Sequence, residues 1–259
     1  MHHRITYIGT ATMLLEIGSL RLLTDPAFDP AGTTYALEPA PGLTIGAHKL
    51  AGPAVRAESV GPIDAVLLSH DEHFDNLDER GRELLADAAR VITTPAGAGR
   101  LADHAVGLAP WESLRLTGTP DVVVTATPAR HGPEGTESII GDTTGFVLEW
   151  AGQAGGVLYI SGDTVMFDGL LEVGTRFTVG TAVLHLGAGG FDASGDMRFT
   201  LDAAQGAALA LDLGAHTVIP VHYDGWSHFT EPAAVARTVL GAQLGERVLW
   251  LDPGVPCDL

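Results

Sequence analysis

Cysteine is almost missing: the 259 residues hold one, Cys257. Without a second thiol no intrachain disulfide can form, a pattern that fits a reducing compartment. A cysteine-rich zinc site is excluded too, which leaves His and Asp for any metal work. Long apolar runs are also absent. Hydrophobic residues make up 46% of the chain, yet no run reaches the roughly 20 residues that a membrane span needs. The opening MHHRITYIGT lacks the apolar core of a signal peptide, so a cytoplasmic location is expected. Positive charge is scarce, with 14 Lys and Arg against 32 Asp and Glu and a formal net charge of −18. Backbone phosphates are met by Lys and Arg, so neither nucleic acid nor an anionic membrane is an expected partner. There is no GxSxG elbow, no Ser-His-Asp order and no glycine-rich phosphate loop.

What the chain does have is glycine and proline, 33 and 15 of them. They indicate short elements joined by many turns. The length allows one large α/β domain or two small ones; a single domain over residues 1–259 is the expectation.

The densest chemistry lies in residues 69–78, SHDEHFDNLD, directly after the apolar run 65–68. That run reads as a buried strand. A strand that empties into clustered histidines and carboxylates holds its ligands firmly while the loop lets them converge, and neutral imidazole with carboxylate suits zinc and related divalent ions. The plainer alternative is a solvated acidic loop in which Asp78 caps the following helix.

Around this stretch the pattern alternates strands and helices. Residues 4–8, 13–17 and 20–24 read as strands joined by Gly9-Thr10 and Gly18-Ser19, and Asp25 follows in a TDP turn. Residues 29–61 read as a long loop over a site mouth, with His48 a surface residue. Residues 78–90 show helical spacing, 91–93 a strand, 97–102 a short helix and the vicinity of Val106 another strand. Strands are expected at 114–116 and 122–126, and a hairpin from 145–150 and 157–161. A strand over 182–186 places His185 in an apolar setting, where a buried, hydrogen-bonded role is expected rather than ligation. Helices are expected at 201–213, ended by Gly214, and near 231–240, with strands at 217–221 and 247–251. Residues 116–259 roughly echo the order of residues 1–115.

Three further stretches sit at strand ends: TPARHGP with His131, SGDT with Asp163, and VIPVHYDGW with His222. Asp163 alternatively caps a helix. The set resembles the metallo-β-lactamase superfamily. SHDEHFDN is similar to its HxHxDH signature, with His73, Asp75 and Asn76 aligned to the second His, the Asp and the last His. The first position falls on His70 if one residue is inserted before His73, or on Asp71 without the insertion. Asn76 stands where the family has a histidine. The opening YIGTATMLLEIGSLRLLTDPAFD resembles the branch that includes ascorbate-6-phosphate lactonase and N-acyl-phosphatidylethanolamine phospholipase D, with Thr10 where that branch often has His.

The resemblance implies a four-layer αβ/βα sandwich and a metal-dependent hydrolase. His70, His73 and His131 would hold a first metal, Zn2+ foremost with Mn2+ or Fe as alternatives. Asp75, Asp163 and His222 would hold a second, with Asn76 a weak or outer contributor. Hydroxide formed from metal-held water would attack an ester, lactone or phosphodiester bond of a small-molecule substrate. Asp75 would orient it, and His228, in WSHF, would either orient substrate and move a proton or be a plain loop residue. Two other functions fit the same fold: an iron or manganese redox enzyme, and a protein that kept the fold and binds a ligand without turnover. The sequence is also compatible with a homo-oligomer.

Overall fold

The computed structural model describes residues 3–40, 43–101 and 104–259. Its first part opens with the meander β1 (His3–Gly9), β2 (Thr12–Ile17) and β3 (Leu20–Thr24). A separate hairpin follows, β4 (Thr34–Ala40) with β5 (Leu43–His48). The chain then alternates: β6 (Ala65–Leu67), α1 (Glu79–Leu85), β7 (Val91–Thr93), α2 (Pro95–Leu101) and β8 (Ala105–Gly107). The second part carries β9 (Ser113–Leu116), β10 (Val122–Pro128), the single-turn α3 (Glu137–Ile140), β11 (Thr144–Trp150) and β12 (Val157–Ile160). It continues through α4 (Leu171–Arg176), β13 (Val179–His185), α5 (Ala203–Asp212), β14 (Thr217–Val221), α6 (Ala233–Leu244) and β15 (Pro256–Asp258).

Two sheets result, ordered β15-β1-β2-β3-β6-β7-β8 and β14-β13-β12-β11-β10-β9. Each begins antiparallel and turns parallel, at β3–β6 in one and at β12–β13 in the other. That is the echo expected between the two parts.

The strands are apolar on both faces because both faces are covered. On β6, Ala65 and Leu67 point between the sheets, where they join Leu15, Val124, Phe146 and Ile219. Val66 and Leu68 point the other way, onto Leu85 of α1. On β12, Leu158 and Ile160 face the other sheet while Val157 and Tyr159 face a layer that includes Leu209 of α5 and Leu240 of α6. The layers are therefore helix, sheet, sheet, helix, the expected sandwich. No helix among the described residues is long and apolar enough to cross a membrane.

Several boundaries differ from expectation. Residues 29–61 are not one loop, because they contain the β4–β5 hairpin. α1 starts as foreseen, with Asp78 accepting from the Gly81 N–H at 2.9 Å, but it stops at Leu85, five residues short of Arg90. Residues 247–251 make one isolated bridge, Val218 to Val248, and the closing strand is β15, paired with β1. Asp163 caps no helix; the next helical turn begins at Asp168.

One buried ion pair ties the hairpin to this frame. Lys49, the only lysine, follows β5 and its side chain is 1% exposed. Nζ donates to Asp78 Oδ2 at 2.8 Å and to the Ala27 carbonyl at 2.9 Å, and it lies over the Trp226 ring. The same Asp78 oxygen accepts from the Asp29 N–H at 2.6 Å. Removing one member of such a pair strands a desolvated charge. Lys49→Met should therefore lower the unfolding free energy by about 3–5 kcal/mol, and Lys49→Met with Asp78→Asn should be less destabilised than Lys49→Met alone; denaturant titration measures both.

Candidate metal centre

The ligand-type side chains gather where strands of the two sheets end on one edge. β6 runs into Ser69 and His70. The Ser69 N–H donates to Asp25 Oδ1 at 2.7 Å, so the TDP turn holds the start of the loop. Asp25 is 1% exposed with φ +32°, and burial pushes its carboxyl well up. A turn then folds back, with the Leu77 N–H on the His73 carbonyl at 2.8 Å, which presents His73 and Asp75 inward.

His131 leaves β10 in the PARHG loop. The Arg130 N–H on Thr164 Oγ1 (3.0 Å) and the Val165 N–H on the Arg130 carbonyl (2.8 Å) lock this loop to the SGDT loop. Gly132 has φ +102°, and a Cβ there would meet the Phe199 ring at 2.8 Å, so glycine is what this approach requires. His222 follows β14 with φ +57°, and its N–H bonds the Thr10 carbonyl at 2.7 Å. A non-glycine residue held left-handed costs about 1–2 kcal/mol, and such strain persists where surrounding contacts impose it.

Two triads form. His70, His73 and His131 make one, and Asp75, Asp163 and His222 the other, with the ligand atoms of each within 4.8 Å of one another. Every sequence-derived ligand candidate among the histidines and aspartates is here except Asp71. Asp71 turns away: Arg100 Nε reaches its carboxylate at 2.9 Å, and Arg82 bonds its carbonyl. His70 occupies the first position, because the residue inserted before His73 lets the strand end aim inward while Asp71 faces α2. Asn76 meets the first triad only from behind. Its Nδ2 donates to Ser69 Oγ at 3.2 Å, and that oxygen lies 2.9 Å from His70 Nδ1.

The donor set fits a divalent cation. His131 Nδ1–H donates to the Phe199 carbonyl at 2.8 Å and His222 Nδ1–H to the Leu186 carbonyl at 3.1 Å. In the neutral rings this leaves Nε2 as a lone pair aimed at the centre. His73 Nδ1 sits 2.9 Å from His70 Nε2 and 2.8 Å from His131 Nε2. One proton cannot serve both contacts, whereas a cation satisfies all three nitrogens. Asp163 carries the same message. His185 Nδ1–H donates to its Oδ1 at 2.8 Å, while Oδ2 is buried without a donor, 3.4 Å from His222 Nε2 and 3.9 Å from His131 Nε2. It faces both triads.

Electrostatics agree. Burial, then His73 and His131, hold His70 well below its ordinary range, and burial with His131 brings His73 down to about 4. Both rings are neutral at pH 7, the form in which imidazole can bind a metal. Burial works to raise Asp163, but His222 and His185 outweigh it and keep the carboxyl low. Asp75 is likewise held low by His228 and His222 against burial. Burial would lower His222, yet Asp163 and Asp75 raise it to about 9, so its Nε2 carries a proton between these carboxylates at pH 7 and would release it on binding a metal.

His228 is buried beside this centre. Its Nε2–H donates to Asp75 Oδ2 at 2.9 Å, its ring stacks on Phe191, and Nδ1 has no partner among the described residues. The plain-loop alternative does not describe it. The triads form the floor of a cavity of about 690 Å³, lined in part by Ile45 of β5. The hairpin thus stands over the mouth, as expected of residues 29–61. Tyr35 of β4 stacks on Phe74 at 4.3 Å, and Phe74 on Trp226 at 5.4 Å. Sequence reasoning passed over these aromatics and Lys49, although a chain with 13 arginines and one lysine marks that lysine out.

The sequence model described as "Beta-lactamase superfamily domain" matches residues 20–223. The chain belongs to the β-lactamase superfamily. Among its superfamily relatives, a protein of Methanoregula boonei named UPF0173 metal-dependent hydrolase is 27% identical over 98% of this chain and 97% of its own length. One of Methanosphaerula palustris with the same name is 28% identical over 97% of each. The fold also matches the crystal structure of an isothiocyanate hydrolase from Delia radicum gut bacteria, with a TM-score of 0.81, 19% identity and 99% coverage of both chains.

Three variants check the superfamily centre in this chain. His131→Ala should remove most bound metal as read by elemental mass spectrometry. Asp71→Asn should leave the metal content unchanged, as should His104→Ala, whose ring bonds the Leu85 carbonyl and belongs to neither triad.

Proposed function

We propose that this chain is a metal-dependent hydrolase of small molecules, with zinc held by His70, His73 and His131 and by Asp75, Asp163 and His222. One observation carries the proposal: two triads of opposite character, one all imidazole and one mostly carboxylate, meet at the buried and undonated Asp163 Oδ2 on a cavity floor. Imidazole with carboxylate is a donor set that zinc accepts. Bound there, a divalent ion supplies a water that ionises near neutral pH and polarises the bond to be cleaved.

The chain's own residues supply the rest. His185 fixes Asp163 so that one oxygen is spent on the imidazole and the other faces inward. His228 lines the cavity, and its Nε2–H is committed to Asp75. Nδ1 is buried without a partner, so a proton that His228 moves would pass through Nε2 and Asp75, from the reacting water and back to the leaving group. Asp75 holds that tautomer and orients the reacting water. The bond is an ester, lactone or phosphodiester, and the acidic chain argues against nucleic acid as substrate.

Elemental analysis of protein purified without a tag or chelator should give about two ions per chain. Hydrolysis of generic esters, lactones and phosphodiesters should depend on them; absence of metal after reconstitution overturns the proposal and favours ligand binding without turnover. His228→Ala should lower kcat about a hundredfold while metal content stays at the wild-type level, which separates proton transfer from ligand loss.

A further inference from the structure

The cavity wall, unlike its floor, is built of apolar side chains. Ile45 and Phe74 stand on the hairpin side, and Phe191 and Phe199 beside His228 and His131. Ile139 of α3 and Met197 complete the lining and are 61% and 42% exposed. Exposed aliphatic side chains at a pocket rim have the chemistry of a surface that an apolar ligand covers.

Charge on the wall is one-sided. Glu72, Glu137 and Asp142 line it, and Arg100 is the one Lys or Arg that does so among the described residues. Arg100 is not free. Its guanidinium is spent on Asp71 at 2.5 Å and Glu72 at 2.8 Å. Asp142 acts on both Glu72 and Arg100 as a further negative neighbour. A carboxylate or phosphate remote from the reacting bond is normally met by an unpaired Arg or Lys. Here it would meet Glu137 and Asp142, with Glu72 already paired to Arg100, in a chain that is negative overall.

We infer that the substrate is a neutral carbonyl compound, an ester or lactone carrying an uncharged apolar group, and that the wall of this cavity selects against anionic substrates, phosphodiesters included. The inference rests on the hydrolase reading for its reacting bond, while the selection itself is a property of the wall.

The test therefore separates binding from turnover, both on the metal-loaded protein. N-phenyl-1-naphthylamine and 8-anilino-1-naphthalenesulfonate share a ring system and differ by one sulfonate. Fluorescence titration should show the neutral probe binding at least about tenfold more tightly. Ile139→Glu should weaken the neutral probe about tenfold at unchanged metal content, and Glu137→Gln with Asp142→Asn should narrow the gap between the probes. In turnover, kcat/KM for 4-nitrophenyl hexanoate should exceed that for mono-4-nitrophenyl adipate, whose chain ends in a carboxylate, by about tenfold. It should exceed that for bis(4-nitrophenyl) phosphate as well. Equal or tighter binding of the sulfonate, or preference for the adipate or the phosphate, overturns the inference and leaves the hydrolase reading standing. The expected probe pattern with no cleavage of any substrate supports the apolar wall and overturns the hydrolase reading.

Discussion

A carboxylate oxygen without a donor governs this molecule. Asp163 is 1% exposed, and a buried charge of that kind costs several kcal/mol unless something compensates. His185 compensates one oxygen only. The other needs positive charge from its surroundings, and the surroundings are arranged for that: imidazoles of two loops, themselves desolvated, stand within 4 Å of it. Burial opposes ionisation of every group here, and only their mutual placement overcomes it. The placement must consequently be rigid, and much of the sandwich can be understood as what makes it so.

Rigidity comes from the strand ends. β6, β12, β13 and β14 belong to the parallel portions of their sheets, and each delivers one functional residue at its end: His70, Asp163, His185 and His222. The loops are then tied to one another rather than left to solvent. Ser69 is held by Asp25, Arg130 by Thr164, and His222 by Thr10. Constellations borne on such elements hold their geometry better than those on free loops. The cavity above them answers to weaker forces, aromatic stacking and a hairpin, and its chemistry is correspondingly separate from that of the floor.

How legible was this from residues alone? The floor was almost fully legible, because strand ends followed by His or Asp are local signals, and the apolar runs before them are long enough to register. The ambiguity between His70 and Asp71 was real in one dimension and vanishes in three: Arg100, 29 residues on, claims Asp71. The hairpin was hidden because the Pro and Gly of residues 29–61 mask a two-stranded unit that pairs with neither large sheet. The strand expected at 247–251 failed for the opposite reason. Its apolar residues pack against both core layers without a continuous ladder. Asp78 was legible as a helix cap, but its second oxygen was not, since the partner lysine lies 29 residues upstream in the stretch read as loop.

That lysine has a consequence for how the folded protein meets chemical reagents. Lys49 is the sole source of an ε-amine, and its nitrogen is committed to Asp78 and a carbonyl beneath the surface. The native surface therefore offers no lysine to acylating enzymes, to isopeptide-forming modifiers or to amine-directed cross-linkers, and its cationic side chains are arginine and histidine alone. Reaction at Lys49 would report loss of the packing of Ala27, Asp78 and Trp226 around its amine, so a single residue doubles as an internal gauge of whether that buried junction is intact.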